Sequence, residues 1–163
     1  MRTWVMCDDF YHPASTVIKG LEPLQQLGYE FEFSLDAADW SANKLAQFPV
    51  LAISKSNRIS AAQEGTWISE EVEQALTAYV EQGGGLLIIH SGTVDYAESA
   101  SIMDLIGGVF THHPEQCLVT MELVAEHPIT AGLTQLEPFT LKDEHYFMKM
   151  TDDTQRKLFL TST

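Results

Sequence analysis

The segment Gly83–Gly84–Gly85–Leu86–Leu87–Ile88–Ile89–His90–Ser91–Gly92 constrains the fold of this chain more than any other. Three glycines end a helical pattern, an unbroken apolar run follows, and a histidine stands where the strand should stop. An apolar run without alternation is the pattern of a parallel strand covered on both faces. In open α/β sheets, ligands bind outside the carboxyl ends of the strands. His90 therefore falls where side chains do chemistry rather than fill space.

The rest of the chain repeats the alternation. A first strand is expected over Arg2–Asp8, then a helix over Ser15–Leu27, where Val17, Leu21 and Leu24 share a face and Gly28 supplies the stop. Tyr29–Leu35 alternates as a half-buried strand, Ser41–Gln47 is weakly helical, and Pro49–Ser54 is a second buried strand. Lys55–Gly65 is polar and irregular, which predicts a surface loop. Ser69 can cap a helix whose first turn carries Glu70 and Glu71 and whose apolar face is Val72, Leu76, Tyr79 and Val80. A helix over Ala100–Ile106 follows, then strands at Cys117–Val124, Thr140–Phe147 and Lys157–Thr161. Strands alternating with helices imply βαβ units: one α/β domain over 1–163, a mostly parallel sheet and a three-layer sandwich.

Composition narrows the function. The 163 residues are 45% hydrophobic and 20% charged, as in soluble globular proteins. A net charge of −14, from 23 acids and 9 bases, argues against nucleic acid and anionic membrane surfaces as partners. The start moves straight into a strand with no secretory h-region, so the expected location is cytoplasmic. A homo-oligomer is left open. Cys7 and Cys117 each sit in an apolar run and form no C-x-x-C, the pattern of buried free thiols. Neither a phosphate-cradling G-x-x-x-x-G-K-[ST] nor a G-x-G-x-x-G after the first strand is present, which argues against a nucleotide.

Histidines mark the candidate site. Three of six precede proline (His12, His113 and His127), which holds each in a fixed turn. His12 follows the first strand and His90 the glycine-led one, so neighbouring parallel strands would bring both imidazoles to one edge. Asp8, Asp9, Asp143 and Glu144 are carboxylates within reach of such a cluster. Imidazole and carboxylate together suit a divalent metal, zinc first, or general acid–base work. Plainer roles stand beside these: His12 as a helix cap, His90 as a hydrogen-bonded core residue, His127 as a turn former, and His112 and His145 as solvated rings. For Asp8 the plainer role is only to accept backbone N–H groups near a helix start. Ser91 lacks the glycines of G-x-S-x-G and is no nucleophile elbow serine.

Five segments, in order, resemble the ThuA-like family, named for trehalose utilisation: Asp9-Phe10-Tyr11-His12-Pro13, Gly83–Gly92, Gly107–Pro114, His127–Leu133 and Asp143-Glu144-His145-Tyr146. The resemblance implies a flavodoxin-like sandwich related to class I glutamine amidotransferases. Those enzymes carry a cysteine in the turn after the corresponding strand, where this chain has His90, so glutamine hydrolysis through a thioester loses its nucleophile. The family domain extends beyond the point where this chain stops, which leaves either a short member or a missing part of the sheet.

The resulting expectation is a protein of carbohydrate metabolism, a metal-assisted hydrolase or isomerase acting on a disaccharide or its oxidised derivative. His12, His90 and His113 are the candidate metal ligands. Glu144, Tyr146 and His90 are the candidate catalytic groups, with Glu144 as base or ligand and Tyr146 as hydroxyl donor. Tyr11, His113 and Asp143 are the candidate substrate contacts, and Asp9 and Asp143 orient histidines from behind. The alternative is a sugar-binding or sensory module that has lost catalysis.

Overall fold

The computed structural model describes residues 1–60, 62–133, 137–151 and 157–163; Ala61, within the expected loop, lies outside them. The chain divides into two compact units, Met1–Val109 and Phe110–Thr163.

The first unit is built on four parallel strands, β1 (Arg2–Cys7), β2 (Glu30–Ser34), β3 (Val50–Ser54) and β4 (Gly85–Ile88), in the order β2-β1-β3-β4. Central β1 is buried from Thr3 to Cys7. Its side chains alternate between two apolar clusters. Trp4 and Met6 join Leu51 and Ile53 with Leu45, Phe48, Val72, Leu76 and Ile102. Val5 and Cys7 join Ala52 on the other face, with Ala14, Val17 and Leu21. The expectation of two covered faces fails at β4. It is an edge strand, and Leu87 remains 50% exposed. An apolar run cannot by itself tell a central strand from an edge one.

Helix α1 spans Ala14–Leu21, shorter than expected. Pro23 has no N–H to continue the ladder, so Glu22–Leu27 winds as a 3-10 segment until Gly28 closes it at φ +86°. Three helices start on serine caps: α2 (Ala42–Leu45) on Ser41, α3 (Glu70–Glu81) on Ser69 and α4 (Ala100–Ile106) on Ser99. Gly107, at φ +84°, ends α4.

In the second unit a mostly parallel arrangement does not hold. Strand β6 (Cys117–Leu123) pairs antiparallel with both β7 (Phe139–Asp143) and β9 (Leu160–Ser162). Parallel pairing needs a crossover, usually helical. The described part of the β6–β7 connection holds one short 3-10 turn, Pro128–Leu133. The extended stretch expected over Thr140–Phe147 breaks after Asp143, and β8 (Phe147–Met150) pairs instead with β5 (Gly108–His112). Among the described residues no helix is long and apolar enough to cross a membrane.

Candidate functional site

The strand order reverses between β1 and β3, and a network of polar groups lies at the carboxyl ends of those two strands. Asp8, at φ +76°, turns the chain out of β1 and its Oδ1 accepts the Ala14 N–H at 2.8 Å. It thus serves the start of α1, where the cap residue is Pro13 and offers no side-chain bond. The backbone role considered for Asp8 is the one it has.

Asp9 is 2% exposed and spans the reversal. Its Oδ1 accepts the Tyr11 N–H at 2.9 Å and the His12 N–H at 2.8 Å, and faces His12 Nδ1 at 3.0 Å. Its Oδ2 accepts the Ser56 N–H, just past β3, at 2.9 Å. Burial alone would raise this carboxyl. The N–H groups of Ser56, Tyr11 and His12, with the His12 ring, outweigh that and hold it below its ordinary 3.8. An ionised Asp9 only accepts, so His12 carries its proton on Nδ1 and turns Nε2 outward.

That Nε2 meets the Nε2 of His90 at 3.1 Å, with the rings nearly perpendicular at 88° and their centroids 4.7 Å apart. A hydrogen bond at that distance needs a proton on one of the two nitrogens and a lone pair on the other. His90 reaches this position from a sharp turn after β4, at φ +47°. The 3-10 segment His90–Thr93 then passes close to β3: a Cβ on Gly92 would lie 2.3 Å from the Ile53 carbonyl oxygen. Only glycine permits that approach. Tyr11, 60% exposed, stands edge-on to Phe10 at 5.0 Å on the same loop.

Lys55–Asn57 corrects the sequence reading, which placed these residues in a surface loop. All three are buried, Lys55 and Ser56 completely. The Lys55 ammonium donates to the Ile59 carbonyl at 2.7 Å, its own carbonyl accepts the Tyr96 hydroxyl at 2.9 Å, and Asn57 Oδ1 accepts the Ile68 N–H at 3.1 Å. Burial pushes the Lys55 ammonium down, against the opposing pull of Asp36, Asp9 and Asp8. Polar residues directly after a buried strand are the signal that would have found them: they sit at the functional edge, not on the surface.

The other expected residues lie in the second unit. His113 Nε2 is 3.9 Å from Glu144 Oε1, and its ring stacks on Tyr146 at 5.8 Å and 10°. Phe110 packs on Tyr146 from 4.4 Å. Asp143 Oδ1 accepts the N–H of Glu144 at 2.8 Å. His112 and His145 each stack on Phe147, at 4.8 and 5.3 Å. His127 stacks on Phe159 at 4.3 Å and its Nδ1 accepts the Ile129 N–H at 3.3 Å, the turn-forming role considered for it.

A cysteine mechanism finds no support in these positions. Cys7 is buried within β1, and burial pushes its thiol up to about 11. For a divalent ion in the first unit, His12 and His90 are the available imidazoles, while both oxygens of Asp9 already accept backbone N–H groups. Among the described residues no group of three or more His, Cys, Asp or Glu side chains is placed to hold a metal. Catalytic zinc ordinarily takes three protein ligands, so this set falls short of that chemistry.

No curated protein matches this sequence. Solved structures that share its fold include two ThuA-like proteins. A ThuA-like protein from Parabacteroides merdae superposes with a TM-score of 0.76 at 14% identity, over 99% of this chain and 68% of its own. One from Bacteroides uniformis does so with a TM-score of 0.67 at 17% identity, over 98% and 66%. The chain thus spans about two thirds of their length. The family model described as trehalose utilisation matches residues 7–163, nearly the whole chain, and by that match the protein belongs to the ThuA family.

Proposed function

We propose that this chain is a cytoplasmic enzyme of carbohydrate utilisation, acting on trehalose, a related disaccharide or an oxidised derivative at the carboxyl edge of its parallel sheet. The two apolar clusters on opposite faces of that sheet support a three-layer, flavodoxin-like arrangement for the first unit. One observation carries the catalytic reading: the Asp9–His12–His90 series, with 3.0 Å and 3.1 Å between successive partners.

In this scheme Asp9 fixes the His12 tautomer and offsets the imidazolium that forms when Nε2 takes a proton. His90 exchanges that proton and delivers it to the substrate or removes it. Such proton transfer serves both hydrolysis and isomerisation beside the carbonyl of an oxidised sugar. Phe10 and Tyr11 offer aromatic faces to a sugar ring. Within the second unit, His113, Asp143, Glu144 and Tyr146 form a cluster of their own, in which Glu144 offers a base, Tyr146 a hydroxyl donor, and His113 and Asp143 polar contacts. In place of the shared proton, a divalent ion could be held by His12 and His90, and it would take its remaining ligands from water or the substrate. Elemental analysis of protein purified without added metal tests that part: absence of stoichiometric zinc or another divalent ion removes it.

Turnover and calorimetry on trehalose and an oxidised derivative of it test the whole. His12→Gln and His90→Gln are each expected to lower turnover about 100-fold or more. Unchanged turnover in both variants overturns the relay. Saturable sugar binding with no product in the wild type would establish the sensory alternative.

A further inference from the structure

Beside the paired imidazoles lies a cleft of about 530 Å³, formed within the first unit between α1 and the ends of β3 and β4. Its chemistry differs from that of the ring edges at its mouth. Pro13, Thr16, Val17, Gly20 and Leu21 recur at the spacing of one helix face, and all five line it. Ile89 closes the opposite wall, next to His90. Ser54, Thr16 and Tyr11 supply hydroxyl groups, and the rest of the wall away from the histidines is apolar or bare backbone.

A hexose finds few partners along the apolar wall of that cleft. Each of its hydroxyl groups needs a donor or acceptor once removed from water, and a buried polar group left unpaired is costly. An apolar group of ring size loses nothing by entering. The helix also keeps the cleft open at a cost to itself. Gly20 lies inside α1, where glycine is a poor helix former, and a Cβ built on it meets nothing within 4 Å. The missing side chain is therefore space in the cleft rather than an accommodation to a close neighbour.

We propose that this cleft is an aglycone subsite: it takes the apolar, ring-sized group of a glycoside whose sugar lies against His12 and His90. The inference rests on the carbohydrate reading above and extends it from disaccharides to glycosides with an apolar aglycone.

Calorimetry with the benzyl and methyl glucopyranosides, each as both anomers, and with benzyl alcohol alone tests it. The readout is the ratio of benzyl to methyl affinity. For the wild type this ratio is expected to be at least tenfold for one anomer. Gly20→Leu, which fills the cleft with a better helix former, is expected to bring it near one, and Gly20→Ala to give an intermediate value. Thermal melts verify that both variants fold, and both are expected to melt no lower than the wild type. Equal affinities in the wild type, or a ratio that survives in Gly20→Leu, overturn the subsite while leaving the carbohydrate reading in place. Binding of benzyl alcohol that depends on Gly20, with no binding of any glucoside, keeps the apolar site and removes the sugar. Absence of binding by all five compounds overturns both.

Discussion

Asp9 joins three backbone N–H groups and one imidazole through two oxygens, and its loss should register in stability as well as in activity. Because its carboxyl lies below the ordinary value in the folded chain, the stabilisation is fully present above about pH 3.8, the ordinary value that the unfolded chain keeps. It is lost as the pH falls through the folded value. Asp9→Asn should lower stability at pH 7 by about 2–3 kcal/mol, and should lower it less at pH 3, where the wild type has begun to lose the same term. Urea midpoints at the two pH values check this; equal losses at both would contradict it. A second residue-scale expectation concerns the thiols. Cys7 should resist a disulfide reagent until the protein unfolds, while the half-buried Cys117 reacts first. Thiol counts with and without denaturant, on Cys7→Ser and Cys117→Ser variants, decide it. The residue types of the site were legible in the sequence, since His12, His90 and the acids beside them stand at strand ends. What was not legible is the division of labour, because only coordinates show that Asp9 reaches across to Ser56.

At the scale of elements, the turn after β4 depends on two features that oppose ordinary preference. His90 adopts a left-handed φ, and Gly92 lies close against the Ile53 carbonyl. Gly92→Ala should destabilise the chain by about 1–3 kcal/mol, because backbone must shift to admit a methyl group. Denaturant midpoints measure it, and a loss below about 0.5 kcal/mol would show that the turn can relax. Elements whose boundaries are set by local chemistry were read correctly. Helix α4 runs from its Ser99 cap to Gly107, and α3 from Ser69, where expected. Elements set by longer-range effects were not. Pro23 cuts α1 short, and Lys55–Asn57 resembles a loop in composition yet is buried by its position at the reversal of strand order.

For the molecule as a whole, the first unit contains both apolar clusters entirely. A chain of residues 1–109 is therefore expected to fold alone, with a cooperative melt and the circular dichroism of a mixed α/β protein. A non-cooperative melt would show that the second unit is needed. The parallel sheet was legible because helices separate its strands. The antiparallel set around β6 was not, because strand direction leaves no mark on local periodicity.

The contact between His12 and His90 holds while a single hydrogen is shared, since one nitrogen must offer a lone pair to the other. Load both rings fully and two N–H bonds point at each other. Crystals grown from strongly acidic solution should accordingly show the imidazoles swung apart, with the chain after β1 free to follow.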